Sequence, residues 1–158
     1  MKNNPPAAFK KARDYAFLLL KFRPRSEKEL QLRLQEKKFD RAVIQKTIAF
    51  LKAEKIINDA DFTRLWIESR LSRPLGLNRL KQELEAKGVD KRIIEAEIKK
   101  ICASYQEEDI VAKLAAVRFA GLKGIDLEKA KRRVFSYLMR RGFSQGIVEE
   151  VIHRVGQV

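Results

Sequence analysis

The chain has 158 residues, 35% of them charged and 45% hydrophobic, proportions that suit a folded, helix-rich chain with a large surface. Thirty-five Lys and Arg against twenty-one Asp and Glu leave a net charge of +14, which draws the protein toward polyanions: nucleic acid, an acidic membrane face or a strongly acidic protein. No apolar run approaches the roughly 20 residues that cross a bilayer, the opening residues lack the apolar stretch of a secretory leader, and one cysteine excludes an internal disulfide, so a cytoplasmic address is expected.

The first predicted helix covers 9–22, between Pro5-Pro6 and Arg23-Pro24, because a proline disfavours helical geometry in the residue before it. Phe9, Ala12, Ala16, Leu19 and Leu20 form its apolar stripe; Lys10, Arg13 and Lys21 gather on the other side with Phe17 among them. Ser26 with Glu29 three residues on is a capping-box pattern and opens a helix over 26–37; a third runs over 41–55. Asn58-Asp59 opens the next helix, which holds Phe62, Leu65, Trp66 and Ser69 and ends near Ser72-Arg73-Pro74. Trp66 lies one turn after Phe62 on the same face and reads as a core anchor. A helix with Leu80 and Leu84 follows Gly76, and another covers 91–104, where Cys102 after Ile98 is expected to be a small buried hydrophobe. The acidic stretch 106–109 reads as a solvated linker and boundary. A helix then starts near Ile110, breaks at 121–124, resumes after a capping Asp126, and a last one covers 145–155. No strand is predicted.

One passage returns three times at intervals of about fifty residues. It reads Leu30, Leu34, Phe39-Asp40; then Leu80, Leu84, Gly88-Val89-Asp90; then Val134, Leu138, Gly142-Phe143-Ser144. In each copy an apolar residue precedes an N-cap Asp or Ser, and another apolar residue (Ile44, Ile94, Val148) follows four positions later, the pattern of a hydrophobic staple. The fold is therefore expected to be all-α: three tandem three-helix repeats, over 1–57, 58–104 and 105–158, forming an elongated, straight or curved array.

Catalytic chemistry finds no support. The lone His153 lies near the C-terminus on a helix face, no Cys and His cluster has zinc spacing, and no Gly-rich turn cradles a phosphate. The charge is more informative, because residues 1–57 carry fifteen bases and six acids, against ten and eight in 58–104 and ten and seven in 105–158. That bias selects Lys10, Lys11, Arg13, Lys21, Arg23 and Arg25 as first candidates for a partner or DNA surface, with Phe17 able to stack on a base or fill a partner pocket. A second set is Arg70, Arg73 and Arg79 around Pro74 and Gly76, where guanidinium groups could grip phosphate or carboxylate, or Arg70 could pair with Glu83. The third is Lys131, Arg132, Arg133, Arg140 and Arg141, a basic stripe or the flank of core Val134 and Leu138. The last helices of the repeats carry Glu54, Glu95, Glu97, Glu149 and Glu150, which disfavours base-specific readout and leaves nonspecific phosphate contact.

The ordered set Arg25-Ser26, Glu29-Leu30, Asp59, Phe62, Arg70, Gly76, Arg79-Leu80, Glu83-Leu84, Lys87-Gly88 and Tyr137-Leu138, Arg141-Gly142-Phe143 resembles the RecX family of recombination regulators, over nearly the whole chain. Asn58 stands where that family often has Asp, and Thr63 where it often has Ala, both at a helix start. The resemblance implies a non-enzymatic protein without cofactor or metal that binds the RecA protein or its filament on DNA and inhibits its ATP hydrolysis and strand exchange. It leaves open contact with single- or double-stranded DNA through phosphates; a monomer with no membrane partner is expected. A direct, nonspecific DNA-binding protein is the alternative.

Overall fold

A computed structural model describes residues 5–155, and among these there are nine α-helices and no strand. They are α1 (Pro5–Phe22), α2 (Glu27–Glu36), α3 (Arg41–Ala53), α4 (Asp59–Leu71), α5 (Leu77–Ala86), α6 (Lys91–Cys102), α7 (Glu107–Ala120), α8 (Leu127–Arg140) and α9 (Gln145–Val155). The capping box expected at Ser26 forms in full: the Ser26 hydroxyl accepts from Glu29 N, and the Glu29 carboxylate accepts from Ser26 N. Asn58 caps α4 by accepting from Ala60 N and Asp61 N, so the departure from Asp costs that helix start nothing. Asp126 caps α8 through Lys129 N, and Asp90 accepts from Arg92 N. Asp40 makes no side-chain cap bond, contrary to the pattern of its repeat.

The repetition is visible in what is buried. The first helix of each repeat sinks one i, i+4 pair completely: Ala12 and Ala16, Thr63 and Ile67, Val111 and Ala115. The second helices start at Glu27, Leu77 and Leu127 and bury Leu30 and Leu34, Leu80 and Leu84, then Ala130, Val134 and Leu138. α8 has 14 residues where α2 and α5 have 10, so the third repeat carries one extra helical turn and one extra buried position.

The chain divides into two compact units, Met1–Trp66 with Leu84–Glu97 and Ile67–Glu83 with Ile98–Val158. The division runs through the helices of the middle repeat because each unit is built on one repeat-to-repeat junction. In the first unit, Ala12, Ala16, Leu19, Leu30, Leu34, Ile48, Leu51 and Ile57 form the core, with Phe9 set edge-on against Phe50. Its junction joins the start of α2 to the end of α5: the Ser26 hydroxyl donates to Lys87 O at 2.6 Å, and Glu27 N donates to the Asp59 carboxylate at 2.9 Å. In the second unit, Val111, Ala115, Val134, Leu138, Phe143, Val148, Val151 and Ile152 form the core. Its junction joins the start of α5 to the end of α8: Gly76 N donates to Arg141 O at 2.8 Å, Asn78 N to Gly142 O at 3.1 Å, and Leu77 N to the Glu107 carboxylate at 3.2 Å.

These junctions explain two glycines. Gly88 and Gly142 follow their helices with φ of 75° and 80°, and a Cβ on Gly88 would stand 2.4 Å from Lys28 Cβ, one on Gly142 2.4 Å from Arg79 N. The equivalent residue of the first repeat is Lys38, also left-handed with φ 61°.

Three expectations are corrected. The stretch 106–109 is no solvated linker, since α7 begins at Glu107, whose buried carboxylate accepts from Leu77 N and from the Ser144 hydroxyl and so ties the start of α5 to the start of α9. Cys102 is exposed rather than buried, because α6 ends there and its side chain passes beyond the core. Trp66 is half-buried, stacked on Phe62 with ring centroids 6.1 Å apart and covered by the Lys87 ammonium.

Candidate functional site

The three basic clusters have different fates in the fold. In the first, Lys10, Lys11 and Lys21 stand exposed on α1, but Arg13 turns to Asp14 at 3.3 Å and Arg23 grips Glu29 through both nitrogens at 2.9 and 3.1 Å. Arg25 donates to the last-turn carbonyl of Leu19, and its guanidinium is held below its ordinary pKa by desolvation first and by neighbouring Arg23 second. Phe17 is only at the edge of exposure, while Phe22 at 77% and Leu18 at 52% are the open apolar side chains of α1. In the second cluster Arg70 holds Glu83 with two hydrogen bonds of 2.9 and 2.6 Å, the structural pairing that the sequence allowed. Arg79 shares Glu83 and reaches Arg140 O, and Arg73 is exposed.

The third cluster is the one left free to act. Lys131 pairs with Glu128, and Arg141 donates to Pro74 O, but Arg132, Arg133 and Arg140 have no acidic partner among the described residues. They line a groove of about 520 Å³ together with Arg118, Lys129, Leu122, Val134, Ser136 and Tyr137, and no carboxylate lines it. Positions 129, 133, 136 and 140 are spaced four, three and four, which places them on one face of α8 over roughly 16 Å. Tyr137 organises the floor: the Arg118 guanidinium lies 4.1 Å from its ring centroid and that of Arg141 4.9 Å. A tyrosine ring so placed fixes two cations without neutralising them. Arg118 comes from α7, one helix earlier in the chain, and no local pattern marks it; Lys129 was readable from its four-residue spacing to Arg133 and was missed.

Five uncompensated cations in a partly apolar trough attract phosphate or carboxylate groups, and guanidinium donors can hold either in bidentate fashion. The trough offers no nucleophile paired with a base. No group of three or more His, Cys, Asp or Glu able to hold a metal exists among the described residues, and none of the helices there is long and apolar enough to cross a membrane.

Comparison with known proteins follows the repeats. Residues 12–51, 58–97 and 106–152 match, in order, the first, second and third three-helix domains of RecX. The chain belongs to the RecX family. It is 33% identical to the Regulatory protein RecX of Amycolatopsis mediterranei (strain U-32), over 94% of this chain and 85% of that one. It is likewise 33% identical to the Regulatory protein RecX of Chlorobium phaeobacteroides (strain BS1), over 92% and 94% of the two chains. The fold is shared with the crystal structure of RecX from Lactobacillus salivarius, which superposes with a TM-score of 0.83 at 19% identity, over 96% of this chain and 98% of that one. The all-α architecture of three three-helix domains is thus that of the RecX family, and its named members are regulatory proteins. Two residues of the groove region, Tyr137 and Arg141, belong to the motif that first pointed to RecX.

Proposed function

We propose that this protein is a non-enzymatic regulator that binds the RecA recombinase, or its filament on DNA, and inhibits ATP hydrolysis and strand exchange. Membership of the RecX family along nearly the whole chain is the observation that carries this reading. The surface supports it, because a regulator needs a complementary face rather than a reactive centre, and the face free of internal ion pairs is the groove of Arg118, Lys129, Arg132, Arg133 and Arg140. A RecA filament on DNA offers acidic side chains and phosphates at close quarters, and the groove suits both. The exposed lysines of α1, namely Lys10, Lys11 and Lys21, form a second, weaker contact.

The test is DNA-stimulated ATP hydrolysis by RecA with this protein added at stoichiometric amounts. The unmodified protein should inhibit; a variant with Arg132→Glu and Arg133→Glu should lose most of the inhibition, and one with Lys10→Glu and Lys21→Glu a smaller part. Absence of inhibition by the unmodified protein would reject the reading. Binding of free DNA without any effect on RecA would favour the alternative, a nonspecific DNA-binding protein, which the carboxylate-free groove also suits.

A further inference from the structure

In the first repeat, Gln31 and Gln35 of α2 and Gln45 of α3 line a groove of about 490 Å³ together with Phe39, Arg41 and Ile44. Three of the chain's seven glutamines thus meet in one place. Aligned on Leu34, Leu84 and Leu138, their counterparts are Lys81, Glu85 and Glu95 in the second repeat and Phe135, Met139 and Glu149 in the third. The third repeat keeps a groove at the same place, about 510 Å³ bordered by Phe135, Ile152 and Glu149, but without an amide. A helix pair that needs only to be wetted is served by charges, as in the second repeat. Neutral amides in a chain so rich in charge add hydrogen-bonding capacity instead.

Those amides are available. Gln35 and Gln45 are exposed and make no side-chain hydrogen bond among the described residues, while Gln31 donates only to the Glu27 carboxylate, at 3.4 Å. Arg41 is exposed without an acidic partner among the described residues, and neither the neighbouring Asp40 nor any other carboxylate lines the groove. Phe39 and Ile44 are half-buried, packed against the core of the first unit, and give the groove its apolar part.

Each glutamine amide carries both donors and an acceptor, as a peptide group does. Gln31 and Gln35 are four residues apart on α2, about 6 Å along its axis. An extended polypeptide turns the N–H and C=O of every second residue to the same edge, about 6.6 Å apart. A nucleobase would use one such amide at its edge and would need an open aromatic face, whereas Phe39 is packed on the core. We propose that the α2–α3 groove of the first repeat binds an extended peptide segment of a partner protein. Gln31, Gln35 and Gln45 hold its main chain, Phe39 and Ile44 take an apolar side chain, and Arg41 takes an acidic one. This goes beyond the regulator reading and uses none of the cations of α8, so either can fail without the other.

The side-chain amide signals of the three glutamines in a 15N-labelled full-length protein provide the test. The probe is a capped hexapeptide of sequence Ser-Val-Thr-Val-Asp-Ser; a twin carries an ester in place of its central amide, and adenosine monophosphate serves as the nucleobase comparator. The hexapeptide should shift all three amides saturably, and the ester twin should bind about fivefold more weakly for its lost donor. Gln35→Met/Gln45→Met, at exposed helical positions, should bind more weakly still with unchanged circular dichroism, while Gln82→Met, exposed on α5, should bind as the unmodified chain does. The inference is overturned if the hexapeptide gives no saturable shift, if the ester twin or the folded double variant binds as tightly, or if adenosine monophosphate shifts the same amides at lower concentration.

Discussion

The ammonium of Lys87 lies 3.2 Å from the carboxylate of Glu29, fifty-eight residues earlier, and 4.3 Å from the centroid of the Trp66 ring. One side chain at the end of α5 thus holds the capping box of α2 and covers the half-buried indole of α4. Glu29 also accepts from Arg23 and from Ser26 N. Burial pushes this carboxyl up, but the three donors outweigh it and hold its pKa at about 2, against an ordinary 4.5.

The pH dependence follows in sign. A carboxylate whose folded pKa lies below its unfolded one stabilises fully above pH 4.5 and loses that contribution as the pH falls through about 2. Denaturant titrations should therefore show the unmodified protein weakening across this window more than Glu29→Gln does, the two curves converging at its acid end. Parallel curves across the window would remove Glu29 from the account of acid stability.

Substitution at the left-handed positions should separate geometry from crowding. Gly142→Ala combines a strained φ with a Cβ driven into Arg79 backbone, and we expect a loss of about 2–5 kcal/mol in unfolding free energy. Lys38→Gly relieves a left-handed φ at the equivalent position of the first repeat and should gain about 1 kcal/mol. Equal effects of opposite sign would mean that the junction adds nothing to the strain.

Packing predicts a second contrast. Leu84 is fully buried, so Leu84→Ala should cost about 2–5 kcal/mol by opening a cavity. Leu127, half exposed at the start of α8, should tolerate alanine within about 0.5 kcal/mol in the same denaturant titration.

The groove on α8 should report itself through salt. Affinity for a single-stranded oligonucleotide, followed by fluorescence anisotropy, should fall linearly in log–log form with salt. Arg132→Ala and Arg133→Ala should each lower the slope by about 0.7. Loss of Lys10 or Lys21 lowering it as much would place the binding surface on α1 instead.

The helices and their threefold return were legible because caps, prolines and apolar spacing are local signals; Ser26 with Glu29, and Asp126, did what their types allow. The site was less legible. Counting charge by segment pointed to residues 1–57, yet charge available to a partner is charge left over after internal pairing, and Arg13, Arg23 and Arg25 are engaged at home. The third repeat, with a smaller excess than the first, leaves Arg132, Arg133 and Arg140 without an acidic partner among the described residues and adds Arg118 from another helix through the Tyr137 ring. Glu107 looked like linker because acidic runs usually are; its burial depends on Ser144 and Leu77, thirty-seven residues later and thirty earlier.

The extra turn of α8 has a consequence for how this chain can be edited. Four residues advance an α-helix by a little more than one turn, so removing four shortens it while returning the remaining side chains nearly to their old bearings. Excising 131–134 would bring Leu138 to the distance from Asp126 that Leu84 keeps from Gly76, and would take Arg132 and Arg133 out of the trough. Removing one residue instead swings Leu138 through about 100° and off the core. The length of the basic stripe and the integrity of the scaffold are therefore separable quantities, adjustable in whole turns.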